Sequence, residues 1–207
     1  MPEESSTGTA PKTLIYGGVA VVVAVGLLVA YLTGAFERRG DISADDVCSN
    51  LTDRKAAART LNSALPEAAD YDFTTGMSGD PGWHYNSDCS AKGDGKTLLI
   101  LHANTVSTVS WQRWVDHELP PRKGEVTYFD SGLKGLSATN LAAIYLPCYA
   151  SEAEMKRPYS LTVYAQAPAG MEGSGKETRR TLIDLATDFA RQAHEDAKCD
   201  LPAKLAG

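Results

Sequence analysis

The side chains in this sequence best suited to chemistry are four cysteines, four histidines and a scattered set of aromatic residues. The cysteines, Cys48, Cys89, Cys148 and Cys199, are widely spaced. An even number so spaced fits two disulfides, which persist in oxidising compartments. A structural zinc site would show cysteines two to four residues apart, and none are. Buried free thiols are the competing reading. Three pairings are compatible with the sequence. Stapling a helix end to a strand end within each half would give Cys48–Cys89 and Cys148–Cys199, each closing a loop of ~40–50 residues and stabilising by about 4 kcal/mol in the chain-entropy model.

The histidines give weak signals. His84 with Asp88, Asp116-His117-Glu118, and His194 with Asp196 could each supply two metal ligands, but none has the spacing of a metal motif. Lone histidines are more often structural or solvated, so no metal and no cofactor is expected. No Gly-x-Ser-x-Gly, Walker loop, His-Glu-x-x-His or dinucleotide fingerprint occurs. Gly93-Asp94-Gly95-Lys96 reads as a hairpin turn rather than a phosphate cradle. Trp83, Tyr85, Trp111 and Trp114 are the candidate binding patch. Trp111 and Trp114 are three apart and share a helix face. That face either packs on a sheet or presents aromatic surface to a partner or glycan.

These residues need a scaffold. A first helix is expected from Ser49 or Asn50 to Leu65, where Leu51, Ala58, Leu61 and Leu65 recur at helical spacing and Pro66 stops it. Asn50 is the expected cap; Asn50-Leu51-Thr52 also matches a glycosylation sequon. A final helix is expected from Glu177 to Lys198, with Leu182, Ala186, Phe189, Ala190, Ala193 and Ala197 as its apolar stripe. Arg180, Asp184, Asp188 and Arg191 lie off the stripe. Leu98–Ala103 reads as a central strand and Ser160–Gln166 as a half-buried one. Shorter candidates are Tyr71–Thr75, Trp83–Ser87, Val126–Phe129 and Ala142–Leu146, with a short helix over Ser107–Leu119.

The order strand, Cys, loop, strand, helix occurs twice. The two halves could reflect a duplication or coincidence in a meander. The expected fold class is α+β, an antiparallel sheet packed with helices, with two similar halves if the repeat is a duplication, preceded by one transmembrane helix.

That helix is the run Leu14–Thr33, which carries no charge. At ~1.5 Å per residue it covers the ~30 Å hydrocarbon core. Tyr16 and Tyr31 sit near its ends, at interface positions. The expected organisation is a disordered tail over 1–12, the transmembrane helix over 13–36, a juxtamembrane linker over 37–46, and a disulfide-bonded domain over 47–202. Gly26, Ala30 and Gly34 recur every four residues, a spacing that allows close packing and a homodimer. Topology signals conflict. Arg38 and Arg39 favour a cytoplasmic domain by the positive-inside rule. The cysteines favour an extracytoplasmic domain with a cytoplasmic N-terminus, and this is the expectation adopted.

Cys48-Ser-Asn-Leu51, Trp83-His-Tyr-Asn-Ser-Asp-Cys89 and the strand Leu98–Ala103 together resemble actinobacterial membrane-anchored or lipoprotein-type extracytoplasmic domains of unknown function. The resemblance covers residues 47–105. It implies an envelope location and an α+β sandwich, and it carries over no active-site residue. A lipid-modified cysteine is missing, and Trp83 precedes the second cysteine by six positions.

Net charge is −6 with scattered cations, which excludes the basic stripe of a nucleic-acid binder. The functional expectation is a non-enzymatic envelope domain that binds a partner protein or ligand near the membrane, the partner being another envelope or membrane protein. A cell-envelope hydrolase and an accessory sensor subunit are the alternatives.

Overall fold

A computed structural model describes residue 25 and residues 39–79, 84–107, 110–130, 133–149, 158–203 and 205. The expected tail, almost all of the expected transmembrane helix including Gly26, Ala30 and Gly34, and Trp83 lie outside the described residues. Among the described residues no helix is long and apolar enough to cross a membrane.

From Arg39 onward the chain forms one compact unit. Its elements in order are α1 (Arg54–Ala64), β1 (Tyr71–Ser78), β2 (Asn86–Gly93), β3 (Lys96–Ser107), α2 (Trp111–His117), β4 (Thr127–Asp130), β5 (Lys134–Ala138), β6 (Leu141–Tyr149), β7 (Tyr159–Gln166) and α3 (Gly175–Asp196). The strands make one seven-stranded sheet in the order β1-β2-β3-β7-β6-β5-β4. Every described pairing is antiparallel. The expected α+β class, a sheet packed with helices, is the one found.

Side chains alternate across the sheet, so each strand serves two cores. Leu99, Leu101 and Ala103 on β3, Ala142, Ile144 and Leu146 on β6, and Leu161, Val163 and Ala165 on β7 face α1 and α3. The α3 stripe answers them with Leu182, Leu185, Ala186, Phe189, Ala190 and Ala193, all buried. Each large side chain so buried contributes roughly 1.5–3 kcal/mol over an exposed one. Leu136 and Ala138 on β5 and Leu141 and Ala143 on β6 face the other way, against Trp111, Trp114 and Val115 of α2.

Local signals explain the helix ends. Ser174 and Glu177 form a capping box, which starts α3 two residues earlier than its apolar stripe suggested. The cap of α1 is Asp53, whose carboxylate accepts from the Ala56 amide at 2.9 Å. Asn50 is neither cap nor glycan acceptor. It is 3% exposed, and its amide donates to Ser87 Oγ at 2.8 Å and to the Asp88 carbonyl at 3.0 Å.

Residues 37–46 were expected to be linker, yet the fold already includes Arg39 onward. Ile42 is buried, and its backbone N–H and C=O both bond the Asn62 side chain. The Gly40 amide donates to the Ala68 carbonyl at 2.9 Å, and the Arg39 guanidinium donates to the Leu65 carbonyl at 2.9 Å. β5 had no sequence expectation. Its residues Gly135 to Ala138 are all buried, so no alternation announced it.

The disulfides are Cys48–Cys89 and Cys148–Cys199. The first ties the segment before α1 to β2; the second ties β6 to the end of α3. The strand order β2-β3-β7-β6 is palindromic about the β3–β7 pair, as two halves would require. The helices do not follow that symmetry: α2 has 7 residues and packs on one face, whereas α3 has 22 and packs on the other.

Candidate functional site

The face carrying α2 is the unusual one. α2 is short and covers β5 and β6, and among the described residues no helix lies over β1, β2 and β3 on that side. The register shows what they present there. One row across the sheet reads Gly76, Asp88, His102, Tyr164, Ala143, Leu136 and Tyr128. The next reads Ser78, Asn86, Asn104, Thr162, Tyr145 and Lys134. Both rows pass from polar side chains on the uncovered half to aromatic ones at the edge of α2.

Asp88 and His102 are directly opposed on β2 and β3, and Asp88 Oδ1 lies 2.6 Å from His102 Nδ1. A carboxylate only accepts, so Nδ1 is the donor in this contact and the ring is held with Nε2 pointing away from Asp88. The Asp88 side chain is 51% exposed and that of His102 is 23% exposed, so the pair faces solvent at its acidic end. The Tyr164 ring lies against the imidazole, centroids 5.2 Å apart. Burial pushes the Tyr164 phenol above its usual range, and the Asp88 charge adds to this, so Tyr164 stays a neutral donor. One row along, Thr162 Oγ1 is engaged by the Asn104 carbonyl and side chain. The uncovered half therefore offers a carboxylate, an oriented imidazole, a phenol and amides.

Two of the candidate ligand pairs contain residues engaged elsewhere. Asp88 pairs with His102. His194 Nε2 lies 2.8 Å from the Leu201 carbonyl, and Asp196 accepts from Gln192, so each closes the end of α3. Among the described residues no group of three or more metal-ligating side chains gathers.

The candidate binding patch is divided. Trp111 and Trp114 are buried under α2, 8% and 3% exposed, with Tyr145 against both rings. Their shared helix face packs on the sheet. Tyr85 is buried in the core on the opposite side, so it shares no surface with them. Tyr128 was not in that set. It stands edge-on to Trp111 and is 62% exposed, which places an accessible ring at the rim of the aromatic cluster.

Two clefts open beside Trp111. One, about 290 Å³, is lined by Trp111, Gln112, Tyr128, Phe129, Lys134 and Gly135. The other, about 320 Å³, is lined by Ser110, Trp111, Gln112, Lys134, Tyr145, Pro158 and Ser160. A third cleft, about 210 Å³, lies between α1 and α3 and is lined by Asp53, Asp184, Asp188 and Arg191 among others. Asp188 is structural there: its carboxylate accepts from the Thr52 and Asp53 amides at the start of α1.

No family model, no curated protein and no solved structure matches this chain. The reading of the site accordingly rests on its geometry.

Proposed function

We propose that this chain is a non-enzymatic binding domain of the cell envelope, held at the membrane by its N-terminal apolar run, with the α2-bearing sheet face as its contact surface. The observation that carries the reading is the half-covered face, where the row Ser78, Asn86, Asn104, Thr162, Tyr145 and Lys134 runs from polar side chains into the clefts beside Trp111. A sheet face that only needed shielding would be apolar and covered. The two disulfides support an oxidising compartment. The uncharged run Leu14–Thr33 supports an anchor, and only Gly34 to Arg38 separate it in sequence from Arg39, where the compact unit begins. A domain so tethered suits contact with another membrane or envelope component.

The Asp88–His102 pair favours one second reading, a hydrolase using His102 as general base. Among the described residues no hydroxyl or thiol is hydrogen-bonded to His102, so in that reading the base would act on a water.

The test uses photo-crosslinking residues in the full-length protein in its native membrane. Placed at Ser90, on the uncovered face, the crosslinker should yield a discrete adduct. Placed at Arg180, on the outer side of α3, it should yield none. Equal labelling at both positions, or none at Ser90, would refute the assignment. Alkylation of the same membranes without reduction should leave all four cysteines unlabelled, and free thiols would place the domain in the cytoplasm.

A further inference from the structure

We propose that the two clefts beside Trp111 are adjacent subsites for two rings of a carboxylate-bearing oligosaccharide. The inference rests on the binding role of this face and names its ligand class.

The clefts share three residues, Trp111, Gln112 and Lys134, so they are neighbours separated by a common wall. Each is near the lower limit of small-molecule sites, ~300–1,000 Å³, which suits one ring apiece rather than a large ligand. Each pairs an apolar surface with hydrogen-bonding groups. The first has the Tyr128 ring beside Gln112; the second has Tyr145 and Pro158 with Ser110 and Ser160. Aromatic side chains beside hydroxyls and an amide match a sugar ring, which has apolar C–H faces and a polar edge.

Charge narrows the class. Lys134 is exposed on the shared wall, and among the described side chains none forms an ion pair with it. Among the described residues it is the one cationic side chain lining either cleft, in a chain of net charge −6. An ammonium so placed can meet a carboxylate at the junction of two rings, with Gln112 beside it for a neighbouring hydroxyl or amide.

The experiment titrates the full-length protein in detergent with galacturonic acid and its dimer and trimer, and with neutral maltotriose, following tryptophan fluorescence. Two subsites predict a steep gain from monomer to dimer and little further gain to trimer. Lys134→Met should weaken dimer binding about tenfold, the scale of one charge-assisted hydrogen bond, and leave maltotriose unaffected. Gln112→Ala, at an exposed position that tolerates substitution, should weaken both ligands. An unbroken rise through the trimer, or equal dimer affinity in Lys134→Met, would overturn the proposal. Cross-links at Ser90 without any oligosaccharide binding would overturn this ligand class alone. Loss of both would remove the face as a binding surface.

Discussion

Removing the two disulfides separately compares equal chain constraints in unequal surroundings. The bridges span 41 and 51 residues. In the chain-entropy model each such loop stabilises by about 4 kcal/mol, and the longer exceeds the shorter by only about 0.2 kcal/mol. Loop closure therefore predicts nearly equal losses. Packing predicts otherwise. Cys48, Cys89 and Cys148 are 2%, 1% and 0% exposed and sit in the main core, whereas Cys199 is half-buried just past α3. Replacing Cys48 and Cys89 by alanine removes two core sulfurs where the other pair removes one, and should cost about 1 kcal/mol or more beyond it. The last turn of α3 keeps other ties: the Leu201 amide still donates to the Cys148 carbonyl, and the Tyr149 hydroxyl to the Ala197 carbonyl. The expected order is wild type, then Cys148→Ala with Cys199→Ala about 4 kcal/mol below it, then Cys48→Ala with Cys89→Ala at about 5 kcal/mol or more below. Urea unfolding followed by tryptophan fluorescence and far-ultraviolet circular dichroism measures both. A loss under ~1 kcal/mol for either pair would show that the unfolded chain is already constrained, and the loop argument would fail.

Three more outcomes test the packing. Asp188→Ala should cost about 1–2 kcal/mol, because the Thr52 and Asp53 amides lose their acceptor. Burial raises the Asp188 carboxyl above its usual range despite those hydrogen bonds. Its ionisation in the fold is therefore a penalty, fully present above the raised value and relieved as pH falls from there toward the ordinary carboxylate range. Asp188→Asn should flatten that part of a stability–pH profile, and an unchanged slope would contradict the assignment. Tyr85 is 3% exposed with its hydroxyl near Ser87 but outside hydrogen-bonding geometry, and burial pushes the phenol up to about 12. Tyr85→Phe should be neutral or slightly stabilising near pH 7, and should remove the loss of stability expected as pH rises from the usual tyrosine range toward that value. A destabilisation above ~1 kcal/mol in thermal melts would mean that the hydroxyl has a partner. Gly135→Ala should cost about 1–3 kcal/mol by chemical denaturation, since a Cβ there would overlap the Phe129 ring across the β4–β5 pair.

The sequence by itself determined the parts whose signal is local. The α3 stripe, Trp111 and Trp114 on one helix face, the Asp94-Gly95 turn and strands β3 and β7 all follow from periodicity or turn chemistry. Asp94 and Gly95 do adopt positive φ, 49° and 74°, as a two-residue hairpin turn requires. The cysteine count announced two disulfides, and the two-half reading favoured the pairing found. Tertiary structure decided what depends on distant partners. Asn50 looks like a cap until β2 offers it two acceptors. Residues 39–46 look like linker until Asn62 and Ala68 bind their backbone. β5 has no periodicity because both of its faces are buried. The same limit hid the candidate site. Asp88 is fourteen residues from His102, His102 is far from Tyr164, and Lys134 meets Tyr145 only across β5 and β6. Strand register put them side by side, and register is fixed by which faces must be buried, a property of the whole sheet rather than of any one segment.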